Sequence, residues 1–217
     1  MILLAIDTAG GDCSAAVYDG VAGVALSEIT DAIGIGHAEK LMAVIDRALD
    51  EAGLSMDVIE RIAVTVGPGS FTGIRVGVAA ARGLALALGV EAVGVSTLAV
   101  LAASAADGTK SPLLAAMDAK RGEIYAQLYA ADGTAISPPE VLSIDAAKAL
   151  VADTNATIVG SAAALLSGLE GEKKADRFPI GLVARLGAAA TPSGRPKPLY
   201  LRGPDAKVQT GFAIARM

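Results

Sequence analysis

The stretch Val64-Thr65-Val66-Gly67-Pro68-Gly69-Ser70-Phe71-Thr72-Gly73-Ile74-Arg75 constrains this chain more than any other. An apolar strand runs into a glycine-rich loop, and the loop runs into a helix thick with small residues. Gly67 and Gly69 let the backbone turn sharply and lie close to another surface, and Pro68 fixes one φ between them. Ser70 or Thr72 is placed to cap a helix that starts near Gly73. Two readings fit the loop. Its N–H groups point one way, which suits a phosphate or another anion. The same geometry suits close backbone contact with a partner protein. No Gly-Lys-Ser/Thr follows, so this is not a Walker A loop. The third glycine comes one residue late for G-x-G-x-x-G. On spacing alone, a plain strand-to-helix turn accounts for Gly67 to Gly73.

The flanking chain supplies the frame. Ile2 to Asp7 reads as a buried strand, Cys13 to Tyr18 as a second and Val21 to Ile29 as a third, with Asp19-Gly20 as a hairpin turn. Short turns make these three antiparallel neighbours. A helix follows over about Ala38–Ala52, with Leu41, Ile45, Ala48, Leu49 and Ala52 at helical spacing and Gly53 closing it. Ile62 to Val66 is a fourth strand, 73–88 a helix, Glu91 to Val95 a fifth strand, and Ser96 caps a helix to Ala106. This βββαβαβα order is that of the half-unit of the actin, hexokinase and Hsp70-like (ribonuclease H-like) α/β fold. It predicts a first lobe over residues 1–106 with a mixed five-stranded sheet. A shorter second lobe over 107–217 has strands Pro112 to Asp118, Glu123 to Tyr129 and Thr157 to Val159. Its helices run from Ser143 to Val151, Ala162 to Leu169 and Ile180 to Ala190. Pro192, Pro196, Pro198 and Pro204 make the tail an extended strip over the surface.

Composition narrows the chemistry. With 18 basic against 23 acidic residues and a net charge of -5, strong nucleic-acid binding by this chain alone is not expected. The exception is a basic patch where Arg195, Lys197, Arg202 and Lys207 gather. Cys13 is the only cysteine, so an internal disulfide is impossible and a cytosolic setting fits. The apolar start Met1 to Ile6 meets Asp7 at once. The uncharged run Ala92–Ala106 is short for a bilayer, so no membrane role is expected. His37 is the only histidine, which excludes a His/Cys metal cluster within one chain. A capping or packing role is expected for it.

Asp7-Thr8 ends the first strand before a glycine turn, where ATP-using members of this fold hold phosphate and metal. A hairpin turn in which Asp7 caps backbone groups competes with that reading. Asp118, Lys120, Arg121 and Glu123 sit on a second-lobe hairpin tip. They suit either an anion or partner contact or a solvated turn. Gly73, Gly77, Ala80, Ala81 and Leu84 make a smooth helix face. Arg75 and Arg82, seven apart on one face of an apolar helix, suggest a carboxylate partner in another chain, against plain solvent exposure.

Several stretches together resemble one family. They are Ala5-Ile6-Asp7-Thr8, Gly67-Pro68-Gly69-Ser70-Phe71-Thr72-Gly73-Ile74-Arg75-Val76-Gly77, Gly94-Val95-Ser96-Thr97-Leu98, Met117-Asp118-Ala119-Lys120-Arg121-Gly122-Glu123-Ile124-Tyr125 and Pro198-Leu199-Tyr200-Leu201-Arg202. The chain is similar over nearly its whole length to the TsaB (YeaZ) family of bacterial tRNA threonylcarbamoyladenosine subunits. The resemblance implies a non-catalytic scaffold and activator. Its paralogue TsaD holds the metal and transfers threonylcarbamoyl to adenosine beside the anticodon of tRNAs that read ANN codons. It implies docking on TsaD through the two first-lobe helices, an ATPase partner TsaE, a homodimer through the same helices when alone, and tRNA contact only through the complex. It implies no tightly bound cofactor, with ATP or ADP shared at the TsaD interface the one nucleotide role left open.

The residues agree with a non-catalytic role. Catalytic relatives carry His-x-x-x-His after the fifth strand, where this chain has Thr97 and Leu101. The expected interface is a four-helix bundle in which Leu41, Ile45, Ile74, Arg75, Val78 and Arg82 meet the partner. Leu41, Ile45, Ile74, Val78 and Arg82 are expected to be exposed in the free chain. Two alternatives share the fold: an ATP-dependent small-molecule kinase, which needs a working phosphate turn, and a glycoprotease-type metallopeptidase, which needs a held metal.

Overall fold

A computed structural model describes residues 1–106, 109–168 and 175–202. The first sheet is built from β1 (Ile2–Asp7), β2 (Asp12–Asp19), β3 (Val24–Ala32), β4 (Arg61–Gly67) and β5 (Glu91–Ser96), in the order β3-β2-β1-β4-β5. β1, β2 and β3 pair antiparallel, while β4 lies parallel to both β1 and β5. Helices α1 (His37–Ala52) and α2 (Phe71–Leu88) supply the crossovers that parallel pairing requires, and α3 (Thr97–Ala105) leaves the end of β5. The second sheet, ordered β8-β7-β6-β9, contains β6 (Leu113–Lys120), β7 (Glu123–Tyr129), β8 (Glu140–Ser143) and β9 (Thr157–Val159). It carries α4 (Ile144–Thr154) and α5 (Ala163–Ser167), and α6 (Ile180–Ala189) follows. This is the two-lobed α/β actin-like fold that the element order predicts.

Period-two alternation in β6 joins the lobes. Leu113, Ala115 and Met117 belong to the main core with the first sheet, while Leu114 and Ala116 belong to a second core with Ile124, Ala147 and Leu166. α6 lies in the second half of the sequence but packs on the first sheet. Val183 and Ala184 are fully buried in the main core. A Cβ on Gly187 would overlap that of Ala63. The Arg61 guanidinium donates to the carbonyls of Ala188 at 3.2 Å and Ala190 at 3.1 Å, closing the C-terminal end of α6.

Several boundaries differ from the sequence reading by a few residues, and three differences have a local reason on view. β3 starts at Val24, because Asp19 Oδ1 accepts from the amides of Val21 (2.8 Å) and Ala22 (3.1 Å), and Gly23 turns with φ 73°. The hairpin therefore spends four residues on its turn. α2 starts at Phe71, because Ser70 Oγ accepts from Gly73 N at 3.2 Å and so sits one residue outside the helix. β8 follows Pro138-Pro139 as a short edge strand on β7, and nothing in its four residues announced it. The Asp107-Gly108 junction, the end of the expected helix at Leu169, and Pro204 and Lys207 of the tail lie outside the described residues.

Candidate functional site

The loop after β4 is folded onto the turn after β1. Ser70 N donates to the Ala9 carbonyl at 2.7 Å, and Thr8 Oγ1 donates to the Gly73 carbonyl at 2.7 Å. Thr97, at the start of α3, donates through Oγ1 to the Pro68 carbonyl at 2.6 Å and ties down the other side. A Cβ on Gly69, Gly73 or Gly77 would come within 3.0 Å of, respectively, the Ala9 carbonyl oxygen, the Thr8 carbonyl oxygen and Thr8 Oγ1. The glycine spacing thus records how closely the β1–β2 turn approaches. The Gly67–Pro68 bond is cis. Three of the amides here are committed within the chain: Ser70 N to the Ala9 carbonyl, Gly73 N to Ser70 Oγ and Ile74 N to the Ser70 carbonyl.

Asp7 and Thr8 are buried beneath this junction. Asp7 Oδ1 accepts from Thr65 Oγ1 at 2.6 Å and from Ala9 N at 3.0 Å. Burial raises its carboxyl to about 6, against the pull of these two hydrogen bonds; Asp12 adds to the rise and His37 opposes it. Beyond it, Gly10 packs against the Asp176 carbonyl and the Phe178 ring. The turn that takes phosphate in ATP-using members of this fold is therefore stitched to two segments of its own chain. His37 opens α1, is buried, and donates from Nε2 to the Asp12 carbonyl at 3.1 Å, a packing and tethering role. Cys13 is buried, and burial pushes its thiol up to about 11, so it is a poor nucleophile. Among the described residues no group of three or more His, Cys, Asp or Glu is placed to hold a metal.

The second-lobe hairpin is also engaged internally. Lys120, Arg121 and Gly122 all take positive φ, which curls the tip so that Lys120 donates to Asp118 through both N (2.8 Å) and Nζ (3.0 Å). Glu123 pairs with Arg202 of the tail. Asp118 N donates to Ser161 Oγ at 3.0 Å, and Ser161 donates through N (2.6 Å) and Oγ (2.5 Å) to the Asp176 carboxylate. Arg177 lies 3.7 Å from Asp12. Residues 176–178 thus rivet the second sheet to the β1–β2 turn. Burial raises the Asp176 carboxyl above the usual range.

The helix pair corrects one expectation. Leu41 (2% exposed), Ile45 (0%), Ile74 (3%) and Val78 (3%) are buried within the free chain. They face the first sheet together with Gly73, Gly77, Ala81 and Ala85. The apolar stripe on each helix is spent on the chain's own core. α2 is long and apolar enough to cross a membrane by length and composition, and its face of Gly73, Ile74, Gly77, Val78, Ala81 and Ala85 is buried on the chain's own core.

Thr72, Arg75, Ala79, Arg82, Gly83 and Leu86 are exposed on α2. Arg75 is held in place. Its guanidinium lies 3.7 Å from the centroid of the Phe71 ring, and its Nε donates to Tyr200 Oη at 2.7 Å. Phe71 is 57% and Tyr200 51% exposed, with ring centroids 5.7 Å apart. Leu199 N donates to the Val66 carbonyl at 2.8 Å and pins the tail beside β4. Sequence reasoning gave Phe71 and Tyr200 no role of their own. The signal available was scarcity: three of only seven Phe and Tyr residues, in a chain without Trp, fall in the motif stretches, and Phe71 and Tyr200 are two of them.

Comparison with known proteins is consistent with this architecture. A family model described as "TsaD: tRNA N6-adenosine threonylcarbamoyltransferase" matches residues 32–183. The "tRNA threonylcarbamoyladenosine biosynthesis protein TsaB" of Escherichia coli is 36% identical over 137 residues, covering 63% of this chain and 58% of that protein. An uncharacterized Mycobacterium bovis protein, Mb3455c, is 34% identical over 209 residues, covering 94% of this chain and 93% of that one. Among solved structures, "YeaZ from Pseudomonas aeruginosa" superposes with a TM-score of 0.72 at 27% identity, over 92% of this chain and 99% of that one. The chain spans between 56% and 62% of the length of the first three curated relatives it matches.

Proposed function

The chain belongs to the TsaB (YeaZ) family, and from that premise we propose that it is a non-catalytic subunit of the assembly that makes threonylcarbamoyladenosine in tRNA. Its work is to dock, through the exposed faces of α1 and α2, on a catalytic partner of the TsaD type. One observation carries this reading. The glycine loop and the turn after β1 are hydrogen-bonded to each other, Ser70 N to the Ala9 carbonyl and Thr8 Oγ1 to the Gly73 carbonyl, whereas α2 presents a fixed Phe71–Arg75–Tyr200 group and Arg82 outward. Aromatic and arginine side chains held rigid at a surface are the usual anchors of protein interfaces.

The same exposed face would pair two copies of the chain when the partner is absent. The ATPase TsaE would join the assembled pair, in the cytoplasm, where tRNA is modified. Any ATP or ADP contact by this chain would be shared with TsaD at the interface, and tRNA would be reached through the complex.

The test is reconstitution. TsaD, TsaE and the enzyme that supplies the threonylcarbamoyl adenylate are assayed for tRNA modification with and without this chain. Modification should depend on the chain, and the isolated chain should turn over neither ATP nor peptide. A TsaD equally active without it refutes the proposal.

A further inference from the structure

The C-terminal end of α2 carries a groove that the docking helices alone do not explain. We propose that this groove seats an acidic, aliphatic-anchored segment of the protein partner, with Arg82 and Arg195 holding its carboxylates; the inference rests on the reading that the exposed face of α2 docks a partner. The groove encloses about 520 Å³ between the last turns of α2, the start of β5 and residues 192–196. That volume falls within the roughly 300–1,000 Å³ of ordinary binding sites.

Charge selects the occupant. Arg82 comes from α2 and Arg195 from the tail, and among the described residues neither makes a hydrogen bond or ion pair. α2 contains no Asp or Glu. Among the described residues the one acid on the rim, Glu91, faces Arg61 at 3.6 Å. Two uncommitted guanidiniums therefore converge on one groove in a chain whose net charge is -5. The carbonyl end of a helix repels anions, but here Gly89 N and Val90 N both donate to the Ala85 carbonyl and blunt it. A guanidinium fork matches a carboxylate in two parallel hydrogen bonds.

The lining selects a peptide over a nucleic acid. Leu86 is 77% exposed, a position that on its own needs no explanation, but here it shares the groove with Val90, Pro192 and Pro196. Among the described residues no aromatic ring lines the groove, so they offer a base nothing to stack on. The tail side is shaped in advance. Pro192 and Pro196 each lock a φ, Gly194 takes φ 100°, and Leu199 is pinned to Val66 three residues on. A site ordered before binding spends less affinity on ordering itself.

The experiment titrates the full chain with its TsaD-type partner by calorimetry at low and raised salt, for wild type, Arg195→Glu, Arg195→Lys and Arg82→Glu. Arg195→Glu should weaken binding about tenfold and flatten its salt dependence, while Arg195→Lys keeps most of the affinity. Arg195 lies outside α2 and is exposed, so circular dichroism of the variant should match wild type. Wild-type affinity in Arg195→Glu alongside loss in Arg82→Glu overturns this inference and leaves the docking reading standing. No binding by wild type overturns both. Loss of RNA retention in Arg195→Glu with protein binding unchanged identifies a nucleic-acid occupant and also overturns the inference.

Discussion

Replacing Gly73 by alanine tests whether the glycine loop is a packing device. The new Cβ would fall within 3.0 Å of the Thr8 carbonyl oxygen, a backbone atom that no rotamer change can move. Either α2 or the β1–β2 turn must shift, and the buried 2.7 Å hydrogen bond from Thr8 Oγ1 to the Gly73 carbonyl stretches with it. Overpacking of this kind costs about 1–3 kcal/mol, and a rigid backbone opponent puts it near the upper end. Stranding the Thr8 hydroxyl adds about 1–2 kcal/mol. Alanine returns about 1 kcal/mol of helix propensity. The net is a loss of about 3 kcal/mol, or roughly 6–12 °C in Tm for a chain of this size. Gly83→Ala is the internal control. It lies on the same helix, and a Cβ there meets nothing within 4 Å. It should gain up to about 1 kcal/mol from the same propensity. Thermal and urea unfolding followed by circular dichroism read both. The reasoning is refuted if Gly73→Ala melts with wild type, or if both variants move in the same direction.

Other consequences can be measured on the same protein. Asp7 has a folded pKa of about 6 against an ordinary 3.8, so it contributes stability below pH 3.8 that is lost as pH rises through about 6. The difference is of order 3 kcal/mol. Asp7→Asn still accepts from Thr65 and Ala9, and should flatten the unfolding free energy between pH 4 and pH 7 and raise it at pH 8; an unchanged slope counts against the buried carboxylate as its source. Asp176→Ala removes both acceptors of Ser161 and should cost about 1–3 kcal/mol, with faster hydrogen exchange at the Ser161 amide than at Leu114. Equal exchange at Ser161 in wild type and variant would mean that the rivet is not holding the lobes. Tyr200→Ala should leave Tm within a few degrees, since the ring is half exposed, but weaken TsaD-type partner binding at least tenfold if the Phe71–Arg75–Tyr200 group is an interface anchor. Surface plasmon resonance with wild-type affinity would remove it from the interface.

What was legible in the sequence depended on how far each cause lay from its effect. Cys13 to Tyr18 could be read as a buried strand because a short run of small and apolar residues bounded by turn residues is a local signal, and the β1–β2 register follows from a short turn. The start of α2 moved by two residues only because two hydroxyls competed for the cap, and Ser70 won. The hairpin after β2 was misjudged because the turn is set by the Asp19 carboxylate reaching amides two and three residues on, a choice invisible in hydropathy.

The candidate site was less legible for a physical reason. Helical periodicity says that Leu41, Ile45, Ile74 and Val78 share faces with other apolar groups, but it carries no sign. The same stripe serves a chain's own sheet or a partner's helix. Here the sheet took it, because Gly73 and Gly77 let α2 settle against Thr8, leaving the arginine-bearing side outward. The glycines were ambiguous in the same way, since a loop that cradles phosphate and a loop that cradles a carbonyl need the same freedom from Cβ. What separates them is the identity of the opposing group, Thr8-Ala9, which lies some sixty residues earlier in the chain. Once the Ala9 carbonyl is in place it takes the Ser70 amide from any anion. A docking role then has to be carried by side chains the periodic pattern left over: Phe71, Arg75, Arg82, Leu86 and, from the far end of the chain, Tyr200 and Arg195.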